Sequence, residues 1–350
     1  MKFKFKEVFI TGANGWLGRQ LIKGLLEKDE DVLEGFNPPR LRIHSLILPH
    51  EDGQFLKNFG NSIKIVYGDI RKKKDCIKFL EKSKNSLLVH CAGVIHPKKV
   101  NEFYEVNYKG TKKIVETATS SGVKKIVVIS SNSPIGCNRN KNNLFNEESE
   151  YNPYMNYGKS KRLMEEFLLG KIKKGEDITI IRPPWFYGEN MPKRQITFYG
   201  MIRDGKFPLV GNGRNIRSKA NVKNIVQGIL LSSMLPIAKG QIYWIADEKP
   251  YTMIEIIETV REVLTNEFNI SCKPQKIKLP FIFGQIAQVF DYIIQFFGFY
   301  NQKIHVASEL NKSIACSIKK AKDQLGYNPK VSLYNGIKES LNKKEINNLL

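Results

Sequence analysis

The sequence predicts an α/β protein built on a doubly wound parallel sheet, with a smaller, mostly helical region after it. Three observations carry that prediction. The apolar strand Val8-Phe9-Ile10 runs into glycines spaced G-x-x-G-x-x-G (Gly12, Gly15, Gly18), and a helical pattern of Leu17, Leu21, Ile22, Leu25 and Leu26 follows at once. Short β-branched runs then alternate with helical periodicity as far as Ile181. From Pro183 the strands thin out, and prolines and glycines break a chain whose remaining long elements are helical. Residues 1–182 are therefore expected to form a Rossmann-type dinucleotide-binding domain. Residues 183–350 are expected to form a substrate-binding region, partly interleaved with the first.

The first strand and its glycines set the plan. Gly12 permits the tight turn, Gly15 lets backbone N–H groups approach a pyrophosphate, and Gly18 lets the helix pack close to the strand. The pyrophosphate would lie at the positive end of the helix, where unpaired N–H groups face outward. Asp29 to Arg40 is polar and contains Asn37-Pro38-Pro39, so it reads as a loop. Leu41 to Leu48 is a strand stopped by Pro49. Ser62 to Tyr67 is a third, ending in Gly68-Asp69-Ile70, and a short helix runs on through Leu80. Ser86 to Cys91 is an apolar strand that enters Ala92-Gly93. A helix over Asn107 to Ser121, a strand over Lys125 to Ser130 and another over Ile178 to Ile181 complete the first half. Helices are then expected at Val222 to Ser233, Met253 to Leu264, Phe281 to Phe297 and Ser317 to Leu325. Ligands of such sheets bind beyond the carboxyl ends of the strands, so the residues just past each strand are the functional candidates.

Composition narrows the class. The 350 residues can bury a large core, and 41% hydrophobic with 26% charged residues describes an ordinary globular protein. Lys4 and Lys6 alternate with Phe3 and Phe5 straight into the first strand, which is no signal-peptide pattern. The cysteines (Cys76, Cys91, Cys137, Cys272, Cys316) form no C-x-x-C pair, and no third ligand accompanies His90 and His96. No metal site is expected, and the protein reads as cytoplasmic and reduced. The net charge of +22 comes mostly from scattered lysines. The densest runs, Arg71 to Lys74 and Lys171 to Lys174, are short and lack interleaved aromatics. That pattern argues for a solvated basic surface and against nucleic-acid binding.

The chemistry lies past the strands. In Tyr157-Gly158-Lys159-Ser160-Lys161, which opens a helix, the tyrosine and Lys161 are four residues apart and share a face. An ammonium beside a phenol lowers its pKa from the usual value of about 10, which would make Tyr157 a general base near neutral pH. Strand five ends in Ser130-Ser131, upstream of the tyrosine, where a hydroxyl can hold the same substrate oxygen. Together with the glycine turn these groups make a hydride-transfer site: a nicotinamide takes the hydride, Tyr157 the proton, and Ser131 orients the oxygen.

These motifs resemble the extended short-chain dehydrogenase/reductase family of the NAD-dependent epimerase/dehydratase type. The likeness runs through TGANGWLG (Thr11 to Gly18), GDI (Gly68 to Ile70), HCAG (His90 to Gly93) and VNYKGT (Val106 to Thr111). It continues in SSNSPIG (Ser130 to Gly136), YGKSK, RPPWFYG (Arg182 to Gly188), GNGRNIR with NVKNIVQGILL (Gly211 to Leu231), and LGYNP (Leu325 to Pro329). The resemblance implies catalytic Ser131, Tyr157 and Lys161. It implies a cofactor site made of Gly12, Asn14, Gly15, Trp16, Leu17, Gly18, Asp69, Ile70, Cys91, Ala92, Gly93, Asn107, Tyr157, Lys161 and Pro183. Within that set, Asp69 and Ile70 would meet the adenine, and Ala92, Gly93 and Pro183 the nicotinamide side. Asn107 would steady the central strands or a catalytic water, or else be a helix N-cap. Ser133, Trp185 and Arg217 would bind substrate, Trp185 otherwise packing the domain junction. Relatives often pair through a helix bundle, so a homodimer is a further implication.

The sequence departs from the pattern in two places. Strand two ends in Leu46-Ile47-Leu48-Pro49-His50 with no acid for a ribose 2′-hydroxyl; Glu51 and Asp52 follow late, and Arg19 stands just after the last glycine. NAD is expected, with NADP the alternative. The catalytic serine is followed by Asn132-Ser133 where dehydratases carry carboxylates, which argues against dehydration.

Two features pull the small-molecule substrate apart. Arg217 falls where nucleotide-sugar members place an arginine on the diphosphate. NVKNIVQGILL and the apolar stretch 281–300 resemble instead the 3-beta-hydroxysteroid branch. In that stretch Gln285, Gln288, Asp291 and Gln295 recur at helical spacing and leave a very wide apolar face. It is a poor transmembrane span. A buried core helix is expected; the alternatives are a dimer or lid surface, or peripheral contact with the inner face of a membrane. The sequence thus predicts an oxidoreductase or epimerase acting on a nucleotide-linked sugar, or else a dehydrogenase of sterol or isoprenoid alcohols.

Overall fold

The computed structural model describes residues 3–140, 143–342 and 345–346. Its centre is a sheet whose strands are all parallel. In chain order the first half contributes β1 (Glu7–Thr11), α1 (Trp16–Leu26), β2 (Arg42–Ile47), α2 (Gln54–Lys57) and β3 (Ile63–Tyr67). It continues with α3 (Lys73–Leu80), β4 (Leu87–His90), α4 (Thr111–Ser120), β5 (Lys125–Ile129), α5 (Met155–Ile172) and β6 (Ile178–Arg182). The sheet order is β6-β5-β4-β1-β2-β3, with the strand Ile242–Trp244 added outside β6. Thr11 pairs with Leu46 on one side and His90 on the other. The order reverses between β1 and β4, so a crevice opens beyond their carboxyl ends, where a doubly wound sheet holds its ligand.

Alternation along the strands decides the two faces. Val8 and Ile10 point into one apolar cluster with Leu21, Ile22, Val89, Val127 and Ile229, while Phe9 points into the other with Leu88, Ile126, Val128 and Ile114. Every one of these side chains is buried, as the period of two requires when both faces are covered. A third cluster, around Phe198, Tyr199, Ile256, Val260 and Ile337, lies wholly in the second half of the chain.

The second half is interleaved with the first. The helix Val222–Met234 is buried along its length and packs on α1, so closely that a Cβ on Gly24 would lie 2.7 Å from Val226 Cγ1. Proline and glycine punctuation hid two regular pieces: the helix Lys193–Arg203 and the strand Ile242–Trp244.

The core reading of 281–300 is overturned. The helix Ile282–Phe296 buries Gly284, Ala287, Asp291 and Gln295, while Ile282, Phe283, Ile286, Val289, Phe290, Ile293 and Phe296 are exposed. The polar residues face inward because polar partners wait there. Asp291 Oδ2 meets His305 Nδ1 at 2.8 Å, and Gln295 Nε2 donates to Asp291 Oδ1 at 2.9 Å. No helix among the described residues is long and apolar enough to cross a membrane.

Candidate active site

The turn after β1 is shaped by what cannot fit there. Gly12 has φ +67°, and a Cβ on it would lie 2.8 Å from both N and Cα of Ala92, the residue that follows β4 and Cys91. A Cβ on Gly18 would run into the Gly12 carbonyl oxygen. Gly15, with φ −72° and ψ 167°, starts α1 without a side-chain cap, and no acid stands in the first turn. The first N–H groups of α1 thus keep their partial positive charge beside a cradle of bare backbone, which suits a pyrophosphate. Leu17 is buried in the core, so only its backbone can serve a ligand. The Trp16 indole donates to the Glu189 carbonyl at 2.5 Å and ties the turn to the second half of the chain. Asn14 is engaged on both sides: its amide donates to the Asp52 carbonyl at 2.8 Å, and its Oδ1 accepts from Arg19 Nη2 at 2.8 Å. Arg19 in turn covers the Phe55 ring at 5.0 Å. Asp69 is held by Arg71 through Nε and Nη2, the shorter contact 2.6 Å, and the guanidinium keeps its carboxyl below the usual range. Ile70 is buried and fills the space beside Gly110, and Pro183 is buried after β6.

A directed chain of hydrogen bonds binds the carboxyl ends of β1 and β4 to Asn107. The Ala92 N–H donates to Thr11 Oγ1 at 3.3 Å, and that hydroxyl meets His90 Nδ1 at 2.6 Å. His90 Nε2 meets Thr111 Oγ1 at 2.8 Å, and the Thr111 hydroxyl donates to the Asn107 carbonyl at 2.7 Å. For every hydroxyl to have one role, Thr11 donates to Nδ1 and Nε2–H donates to Thr111, so the ring is neutral. Burial agrees, pushing the His90 pKa down to about 3.

Asn107 is no N-cap. It lies inside a π-helical stretch, Phe103–Gly110, that leads directly into α4. There it clamps the loop after β4: Oδ1 accepts from Val94 N–H at 2.8 Å, and Nδ2 donates to the Val94 carbonyl at 3.0 Å and to Ser160 Oγ at 3.3 Å. A Cβ on Gly93 would lie 3.1 Å from Asn107 Oδ1 and 3.7 Å from Lys161 Nζ. Gly93, Asn107 and Lys161 therefore share one small volume. The wider π turn is what lets an asparagine inside the helix aim both amide atoms at that loop.

Ser131 and Tyr157 meet above it. The Ser131 hydroxyl is near enough to the phenol to favour its ionised form, and Ser133 Oγ stands 3.3 Å from Ser131 Oγ. Tyr157 itself is half-buried, with its ring 5.6 Å from that of Phe103, which meets Tyr300 at 5.2 Å edge-on. One expectation fails here. Burial pushes the Tyr157 pKa up to about 12 instead of lowering it. Lys161 has no part in that shift: its ammonium donates to the Ile129 carbonyl at 3.0 Å, and burial brings its own pKa down to about 8. Four residues of helix bring the two side chains onto one face, but the ammonium is turned to the Ile129 carbonyl, and desolvation dominates both groups.

The cation acting on the phenol is Arg194, from the helix Lys193–Arg203, which also acts on His96 and Tyr300. Sequence reasoning missed it, because that helix was hidden among prolines. Arg217 is 6% exposed and its Nη2 donates to the carbonyl of Glu309, whose carboxylate acts on Tyr157. Trp185 packs between the Phe198 ring at 5.2 Å and the Lys219 ammonium, 3.4 Å from its centroid. Cys91 and Cys137 are both pushed up to about 12 by burial, so neither is a thiolate. Beneath Ser131, Ser130 donates to Glu165, which also takes Arg182 Nη2 at 2.6 Å and the Tyr151 hydroxyl at 2.8 Å in a buried network.

Comparison with known proteins fits this geometry. The model of the 3-beta hydroxysteroid dehydrogenase/isomerase family matches residues 9–280. The Sinorhizobium fredii protein y4nL is 43% identical over 95% of this chain and 94% of its own. An N-acetyl-alpha-D-glucosaminyl-diphospho-ditrans,octacis-undecaprenol 4-epimerase of Escherichia coli O157:H7 is 26% identical over 80% of this chain and 77% of its own. The structure of UDP-glucuronic acid 4-epimerase from Bacillus cereus in complex with NAD superposes with a TM-score of 0.72 at 19% identity, over 98% of this chain and 99% of that one. This last likeness carries the fold alone.

Proposed function

This chain belongs to the 3-beta hydroxysteroid dehydrogenase/isomerase family, within the extended short-chain dehydrogenases/reductases, and from there we propose that it oxidises a secondary hydroxyl with NAD, on a sugar carried by a diphosphate. One observation carries the reading: Ser131, Tyr157, Asn107 and Lys161 converge past β4 and β5, beside a backbone cradle closed by Gly12 and Ala92. Gly12, Gly15, Gly18 and the start of α1 would hold the NAD pyrophosphate; Ala92, Gly93, Lys161 and Pro183 would flank its nicotinamide half. When bound, NAD supplies the hydride acceptor.

The residues of the chain manage the proton. Ser131 holds the substrate oxygen and Tyr157 receives its hydrogen, an exchange that a phenol near pKa 12 makes only when substrate and a cation support the phenolate. Lys161, at about 8, can supply that positive charge near neutral pH. Arg194 is the cation placed to meet an anionic part of the substrate, and Arg217 holds the Glu309 segment. Return of the hydride to the other face of the keto sugar would make the reaction an epimerisation. A sterol or isoprenoid alcohol is the second reading, favoured by the outward apolar helix Ile282–Phe296.

The test follows NAD absorbance and product together, with diphosphate sugars and hydroxysteroids offered in turn. Turnover that vanishes in Tyr157→Phe is expected, and Arg194→Ala should raise KM for a diphosphate substrate at least about tenfold. No heat on titration with NAD, or unchanged turnover in Tyr157→Phe, would sink the proposal.

A further inference from the structure

The helix Ile282–Phe296 is built the wrong way round for a water-facing surface. Positions 284, 287, 291 and 295 form its inner face, and these are two small residues, a carboxylate and an amide. The outer face carries Val289, Phe290 and Phe296, exposed at 59%, 57% and 73%, and continues into Phe297 and Phe299 beyond the helix. Monomeric proteins rarely leave so continuous an apolar patch in water. The inner face is also too polar for a helix that could simply turn over and bury its aromatics. Asp291 is held by His305 and Ser308, and Gln295 by Asn156, so the outward aim of the aromatics is fixed.

Charge identifies what covers the patch. Between Glu267 and Glu309 the only carboxylate is Asp291, which is fully buried. Lys276 and Lys278 stand exposed just before the helix and Lys303 just after it. Lys98 and Lys99 join them from the loop after β4, which bridges to Phe299: Tyr300 N–H donates to the Lys98 carbonyl at 3.1 Å, and Val100 N–H to the Gly298 carbonyl at 2.9 Å. None of these five lysines is in an ion pair among the described residues. An aromatic stripe ended on both sides by unpaired ammonium groups matches the boundary of an anionic lipid leaflet, where acyl chains take the rings and headgroups take the lysines. A second copy of the chain would bring the same lysines against themselves.

We propose that Ile282–Phe296, with Phe297 and Phe299, docks this protein on the surface of an anionic bilayer without spanning it. The proposal stands whichever substrate is turned over. It also leaves the first turn of α5, with Tyr157 in it, on the inner side of the docked helix, where Gln295 holds Asn156.

Flotation with vesicles tests it. Protein carrying Tyr157→Phe, which lacks turnover under the reading above, should still float with phosphatidylcholine vesicles containing phosphatidylglycerol, so this test and that reading fail separately. Partition onto phosphatidylcholine alone should be at least about tenfold weaker. The double variant Phe290→Asp, Phe296→Asp should lose at least about tenfold in partition while NAD binding and Tm stay unchanged, since both rings are exposed. Lys98→Glu with Lys99→Glu should abolish the preference for the anionic vesicles. Absence of flotation, flotation indifferent to the aromatic pair, or a dimer in sedimentation equilibrium that this pair dissolves would overturn the proposal.

Discussion

Gln295 Oε1 accepts both the backbone N–H of Asn156 at 3.1 Å and its side-chain amide at 3.0 Å, so the outward apolar helix holds the first turn of α5 from within. Asn156 Oδ1 is engaged as well, by the Tyr104 hydroxyl at 2.7 Å. The next residue is Tyr157. Gln295→Leu leaves the half-buried Asn156 amide without its acceptor and the buried Asp291 Oδ1 without its donor, a loss of about 1–3 kcal/mol beside the position of the phenol. We expect kcat to fall about tenfold with KM for NAD little changed. Steady-state kinetics check this, and an equal rise in KM for NAD would show that the whole cleft had loosened instead.

The raised pKa of Tyr157 fixes the direction of the pH profile. A phenol at about 12 is protonated in the free protein at neutral pH, so oxidation gains from a rise in pH as long as Lys161 keeps its proton. Log kcat/KM for alcohol oxidation should climb up to about pH 8 and level off above it as Lys161 loses its charge, while carbonyl reduction, which uses the protonated phenol, should not gain. A plateau for oxidation already below about pH 7 would mean that the phenol ionises in the free enzyme.

His90 makes the fold acid-sensitive. Its folded pKa of about 3 lies below the unfolded value of 6.5, so between those limits the unfolded chain binds a proton that the folded one refuses. Stability is therefore whole above pH 6.5 and falls as pH drops, by up to about 1.4 kcal/mol per pH unit from this ring. His90→Gln should remove that slope between about pH 6 and 4 in denaturant titrations, though it lowers stability at pH 7 by breaking the chain from Thr11 to Asn107. An unchanged slope would exclude His90 as its source.

Gly18→Ala should abolish NAD binding by calorimetry and destabilise the chain by about 1–3 kcal/mol, because the added methyl meets the Gly12 carbonyl, which is backbone and cannot swing aside. Gly170→Ala, where a Cβ meets nothing within 4 Å, is the control: it should leave NAD binding unchanged and, lying inside α5, raise stability by about 0.5–1 kcal/mol.

Glu165→Ala should cost about 3–5 kcal/mol in urea unfolding, since it strands a fully buried Arg182 and releases Tyr151 and Ser130 together. A loss below about 1 kcal/mol would show that water enters and solvates the guanidinium.

The sequence by itself determined the sheet, its order of elements and the turn that organises it. The strand predicted at Leu41 to Leu48 lies at Arg42–Ile47, and that at Ser86 to Cys91 lies at Leu87–His90. Such features are local: periodicity, β-branching and glycines whose neighbours in space are also near in sequence or follow from the sheet order. Tertiary structure alone decided the rest. The phenol of Tyr157 is raised, not lowered, because burial outweighs the other influences on it, and the ring packed against it, Phe103, comes from another element. The charge of Arg194 reaches Tyr157, and the helix carrying it was unreadable among prolines. The direction in which Ile282–Phe296 faces was open as well. Its amphipathic period marks two faces, but only His305, Ser308 and Asn156, brought in from other elements, make the polar face the inner one.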